Sequence, residues 1–90
     1  MVARRFVVSG RVQGVGFRWF AAREAARAGV VGWVTNLPNG QVEVLCKGTV
    51  TQISGFEKSL QQGPRSARVD SVDKFDIQLE VINTKSFDIK

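Results

Sequence analysis

Histidine and tyrosine are missing from this sequence of 90 residues, and cysteine occurs once. Without histidine there is no imidazole base, no His-ligated metal and no partner to make Cys46 a nucleophilic thiolate. A lone cysteine forms no disulfide within the chain and suits a reducing compartment. No apolar run approaches the ~20 residues that a membrane span requires. The first residues enter an alternating strand pattern with no signal-peptide core, so the expected location is the cytoplasm. The chemistry left open belongs to arginine, carboxamides, carboxylates, hydroxyls and the backbone.

The apolar share is 43%, ample for a packed core in one small domain spanning residues 1–90. The net charge is +5, with arginine dominating the cations. That balance favours anionic partners: phosphorylated metabolites, nucleic acid or membrane headgroups.

Residues 4–10 are β-branched and aromatic, a strand pattern. Residues 18–28 are alanine-rich; Phe17, Ala21, Ala25 and Ala28 share a side at helical spacing, and Gly29 stops the helix. Residues 30–36 read as a second strand, followed by the turn Leu37-Pro38-Asn39-Gly40. Residues 41–47 alternate cleanly as a third. Gly48-Thr49 opens a second helix carrying Val50, Ile53, Phe56 and Leu60 on one stripe, and Gly63-Pro64 ends it. A strand with a possible irregularity is expected over 69–79, and a short one over 86–89. The order β-α-β-β-α-β, with one further strand, predicts an α+β ferredoxin-like sandwich. Two helices should cover one face of a mostly antiparallel sheet of four to five strands, the first four ordered 4-1-3-2.

The segment Val12-Gln13-Gly14-Val15-Gly16-Phe17-Arg18 lies between the first strand and the first helix. Two glycines allow a sharp turn in which successive N–H groups face one hollow. The helix start behind them adds free N–H groups and a partial positive charge. Arg18 adds a planar cation, although a cation there opposes the helix dipole. These residues describe an anion cradle suited to phosphate. Strands one and two run parallel, so residues 11 and 36 reach the same end of the sheet, roughly 10 Å apart across the third strand. Cradle, cation and the carboxamide of Asn36 thus meet without a general base. A lone Gly-x-Gly is common, and the Gly-Lys-Ser/Thr ending of a nucleotide P-loop is absent. Asn36 by itself reads better as a plain turn residue before Leu37-Pro38.

Residues 9–18, Ser-Gly-Arg-Val-Gln-Gly-Val-Gly-Phe-Arg, closely resemble the first signature of the acylphosphatases. Residues 32–42, Gly-Trp-Val-Thr-Asn-Leu-Pro-Asn-Gly-Gln-Val, followed by Gly48, resemble the second. The 63–69 stretch and Phe87-Asp88-Ile89 are similar too, so the likeness spans the chain. Thr35 departs from the pattern, where a longer basic residue is usual; alternation should point it away from Asn36. The resemblance implies metal-independent hydrolysis of acyl phosphates to carboxylate and inorganic phosphate, with no cofactor. It implies phosphate binding by Val12, Gln13, Gly14, Val15, Gly16, Phe17 and Arg18, with Arg18 and Asn36 catalytic and Asn36 holding the attacking water. The implied partner is a small-molecule acyl phosphate, with neither nucleic acid nor membrane, and a domain this small points to a monomer.

A ferredoxin-like plan with positive charge also serves RNA-recognition modules, but the third strand offers no aromatic for base stacking. A phosphate-binding domain without turnover is a further reading. Arg11 either adds to the positive field or merely closes a strand edge. Trp19 and Trp33 are expected to pack or half-pack, Phe17 and Phe20 to anchor the first helix, and Cys46 to fill the core. Arg65, Arg68 and the carboxylates Asp70, Asp73, Asp76 and Glu80 read as solvated surface. Few predicted side chains select the acyl portion of a substrate.

Overall fold

Alternation and helical spacing resolve into β1 (Val2–Arg11), α1 (Phe17–Ala28), β2 (Val31–Asn36), β3 (Val42–Gly48), α2 (Val50–Gln62), β4 (Arg68–Ile77) and β5 (Phe87–Ile89). The structure, a computed structural model, describes residues 1–90. One sheet holds all the strands in the order β4-β1-β3-β2-β5. The first four stand as expected, and β5 joins the edge parallel to β2. Every other pairing is antiparallel.

The core lies between one sheet face and both helices. Phe6 and Val8 of β1, Val34 of β2, and Val42, Val44 and Cys46 of β3 meet Phe17, Ala21 and Ala25 of α1 and Ile53, Phe56 and Leu60 of α2. α1 presents one large ring and two alanines to this core, whereas α2 presents three large side chains. Burying each large apolar side chain is worth about 1.5–3 kcal/mol. Val50 does not join this stripe as the periodicity suggests: it is exposed. It opens α2 one turn before Ile53, the first residue of that helix to reach the core.

The helix ends follow their local chemistry. Thr49 Oγ1 accepts from the Gln52 N–H at 3.1 Å, and Gln52 Oε1 accepts from the Thr49 N–H at 2.9 Å, a closed capping box. Gly29 ends α1 in the left-handed conformation. In the β2–β3 turn, Asn39 Oδ1 accepts from the Gln41 N–H, so this asparagine serves the hairpin.

The irregularity expected in β4 is a bulge. Pairing with β1 slips between Ser9 and Gly10, leaving Asp70 as the extra residue between Val69 and Ser71. Val69 and Val72, three apart, can therefore both pack on the core. Gly10 has φ +130°, and a Cβ there would stand 2.1 Å from the Arg68 carbonyl oxygen, so only glycine fits. β4 stops at Ile77, earlier than its apolar pattern suggests, because Leu79–Val81 coils into a single 3-10 turn. The chain then passes from one sheet edge to the other. Ile82 is fully buried on the way, and its carbonyl accepts from Lys47 Nζ at 2.9 Å.

Glu24 clasps the two helices. Its carboxylate accepts from Ser59 Oγ of α2 at 3.1 Å, and from Arg27 and Arg23 at 3.3 and 3.4 Å. Burial pushes this carboxyl up, but the Ser59 hydroxyl and the two guanidinium groups outweigh burial and hold it below its ordinary value of 4.5. A depressed folded value stabilises the protein above the unfolded one and loses that contribution as pH falls through the folded value. Glu24→Gln is thus expected to unfold more readily than the parent at pH 7, with the gap closing as pH drops below about 4.5, read by urea denaturation across pH.

Candidate active site

β1 and β2 both pair antiparallel with β3, so they run parallel and their last residues, Arg11 and Asn36, reach the same end of the sheet. At that end the chain leaves β1, turns through residues 12–16 and enters α1. Gly14 and Gly16 have φ +73° and +77°, with nothing within 4 Å of a Cβ built on either. Glycine is required there by backbone conformation, not by crowding. Alternating left-handed residues are the geometry that turns consecutive N–H groups to one side.

Those N–H groups are free. Outside the regular elements no backbone hydrogen bond is donated by residues 13–19, and the first bond of α1 runs from the Phe20 N–H to the Gly16 carbonyl. No side chain caps α1 and no acidic residue stands in its first turn. The helix therefore opens with unpaired donors and its positive dipole end uncovered.

A polar hollow of about 240 Å³ lies over this helix start, lined by Val12, Gly14, Gly16, Phe17, Arg18, Trp19 and Asn36. The fold thus gathers most of the predicted site residues around one space. Gln13 and Val15 do not line it; any part they play there falls to their N–H groups. The Gln13 side chain instead donates to the Leu37 and Gln41 carbonyls at 2.7 and 2.8 Å, lashing the loop to the β2–β3 turn. Val15 packs against the core, and its carbonyl accepts from Ser66 Oγ at 2.9 Å. Neither anchor was legible in the sequence, because both join segments more than twenty residues apart.

Arg18 pairs with no carboxylate side chain; its Nη1 donates to the Lys90 backbone oxygen at 2.9 Å. Lys90, the residue after β5, makes this contact, brought beside α1 by the parallel pairing of β5 with β2. Arg11 is exposed at the end of β1 and likewise forms no ion pair.

Asn36 closes β2 opposite Val42, on the helix-covered face. Its Oδ1 is buried and has no hydrogen-bond partner. A buried unpaired acceptor costs about 1–3 kcal/mol, so this carboxamide weakens the fold where it stands. Thr35 pairs with Glu43 on the opposite face, turned from the hollow as alternation requires.

Trp19 departs from expectation. It is 76% exposed rather than packed. The helical wheel carried the signal: residue 19 lies about 200° around from Phe17, opposite the apolar stripe. Phe17 is buried and Phe20 half-buried, their rings 5.8 Å apart. Trp33 is half-buried, with Lys90 Nζ 4.3 Å from its ring centre. Cys46 is a core residue: burial pushes its thiol up to about 12, and its Sγ lies 3.7 Å from the Arg4 carbonyl oxygen. No group of three or more Cys, Asp or Glu side chains is placed to hold a metal ion.

Sheet order and hollow define a ferredoxin-like α+β protein with an open, polar helix start at one sheet end. The family model described as Acylphosphatase matches residues 4–89. A relative from Koribacter versatilis, named acylphosphatase, is 47% identical over 87 residues, covering 97% of this chain and 78% of its own. The crystal structure of an acylphosphatase from Bacillus subtilis superposes with a TM-score of 0.94 at 34% identity, over 100% of this chain and 99% of that one. Full-length HypF, crystallised in a phosphate- and nucleotide-bound form, matches 99% of this chain with 12% of its own, at TM-score 0.84 and 28% identity. The chain belongs to the acylphosphatase family, and it is an enzyme that hydrolyses acyl phosphates.

The orphaned oxygen of Asn36 gives a stability test. Asn36→Ala removes a buried unpaired acceptor, so its unfolding free energy from urea denaturation should match or exceed the parent's, by up to about 1–2 kcal/mol. A clear loss of stability would show that the carboxamide is structural.

Proposed function

We propose that the hollow is the catalytic site, and that residues 1–90 act as a single monomeric domain in the cytoplasm on small acyl phosphates, not nucleic acid. The observation that supports this reading is the run of unpaired N–H groups from residue 13 to residue 19, beside a hollow lined by Gly14, Gly16, Arg18 and Asn36.

Phosphate oxygens accept from the N–H groups of Gln13, Gly14, Val15, Gly16, Phe17 and Arg18, with Val12 forming the inner wall. The Arg18 fork adds charge-assisted bonds to two of them. Its tether to Lys90 uses one of five donors and restricts the side chain, so less entropy is lost when substrate binds. The Asn36 carboxamide, which borders the hollow, hydrogen-bonds a water and aims that water's oxygen at phosphorus. The new O–P bond forms as the bond to the acyl oxygen breaks, whose electron pair leaves on the carboxylate. A carboxylate is a weak base and leaves unprotonated, while a phosphate oxygen of the substrate takes the water's proton. No side chain has to titrate. Positioning and charge stabilisation supply the catalysis, as in phosphoryl transfer generally.

Kinetics with benzoyl phosphate separate the two residues. Arg18→Ala should lower kcat/KM by about 10³-fold and weaken competitive inhibition by inorganic phosphate, and Arg18→Lys should recover little of either. Asn36→Ala should lower kcat by about 10²-fold while phosphate inhibition stays near the parent value. Parent rates should be the same with and without a chelator. Near-normal turnover in both alanine variants would remove the site assignment.

A further inference from the structure

Trp19 is the largest side chain at the site with no role in the chemistry above. It borders the polar hollow and also an adjoining open groove of about 480 Å³, bounded by Gly16, Trp19, Phe20, Ala22, Arg23 and Pro64. Gly16 and Trp19 are common to both spaces, so the groove adjoins the hollow. Asn36 borders the hollow alone. In an in-line displacement the leaving group departs opposite the attacking water. A leaving group moving away from Asn36 and past Gly16 and Trp19 enters the groove.

We propose that this groove receives the acyl portion of the substrate and favours a planar aromatic acyl group, with Trp19 as the specificity-determining residue. The inference rests on the assignment of the phosphate to the hollow. Two aromatic rings, a proline ring and an alanine supply most of the wall. The single charge, Arg23, is already engaged: its guanidinium lies 5.6 Å from the Phe20 ring centre and donates to Glu24 at 3.4 Å. Lying over the Phe20 ring, it widens a flat surface. An exposed tryptophan beside a phosphate site offers a large rigid face and loses little entropy when an arene stacks on it.

Two non-hydrolysable phosphonates test this, each with CH2 in place of the bridging oxygen: phenacylphosphonate and 2-oxopropylphosphonate. Competitive inhibition constants are measured for the parent, Trp19→Ala and Trp19→Phe, with inorganic phosphate as the reference ligand. The parent should bind the phenacyl compound about ten-fold more tightly than the oxopropyl one, Trp19→Ala should erase that preference, and Trp19→Phe should keep most of it. The ratio of kcat/KM for benzoyl over acetyl phosphate should fall in parallel. Trp19 is exposed, so the variants fold, and far-ultraviolet circular dichroism checks this. An unchanged preference in Trp19→Ala, with inorganic phosphate still competing, overturns the groove and leaves the hollow standing. Failure of inorganic phosphate to compete with either phosphonate in the parent overturns the phosphate assignment, and the groove with it. Tighter binding of a carboxylate-tailed phosphonate that is lost in Arg23→Ala overturns the aromatic assignment alone.

Discussion

Backbone N–H groups must be paired or reach water, and the run from residue 13 to residue 19 has no partner within the protein. That constraint organises the active end of the molecule. α2 begins with a closed capping box, whereas α1 begins on a left-handed glycine with no cap at all. The same chain closes one helix and leaves the other open, and the open one points into the hollow where Arg18 and Asn36 meet. A helix start left open in this way is a ready place for an anion.

The rest of the fold holds those donors in place. β3 fixes β1 and β2 at two strand spacings, which sets how far the loop stands from Asn36. Gln13 ties the loop to the β2–β3 turn, Ser66 ties it to the segment after α2, and β5 delivers the Lys90 oxygen to Arg18. Each tie uses a group remote in sequence. Rigidity of this kind lowers the cost of binding a tetrahedral oxyanion, since few side chains must be ordered on arrival. The orphaned oxygen of Asn36 is the complementary expense, an unpaired acceptor that weakens the fold slightly beside the hollow.

Much of this was legible in the residues, and the reasons are specific. Phe17, Ala21 and Ala25 announce the buried face of α1 because helical period and burial coincide there. Val42, Val44 and Cys46 announce the inner face of β3 because alternation is unbroken. The glycine pair followed by arginine marked the loop that lines the hollow, and parallel β1 and β2 placed it at the same sheet end as Asn36. What stayed hidden depends on tertiary contact. Val50 fits the helical stripe yet lies ahead of the core, and β4 loses its last residues to a 3-10 turn. Asp70 bulges because Gly10 lets Arg68 approach, a contact between segments nearly sixty residues apart. Trp19 was misplaced for another reason: its type suggested packing while its angle on the helix pointed outward. Angle decided the outcome, and it opened the groove beside the hollow.

The most direct test follows the amides themselves. Inorganic phosphate is titrated into 15N-labelled protein and the backbone 1H–15N shifts are followed. Downfield proton shifts confined mainly to residues 13–19, with the Asn36 side-chain amide responding alongside, are the expected result. Saturable shifts clustered on another surface, or none in the 13–19 run, would contradict an oxyanion held by those free donors.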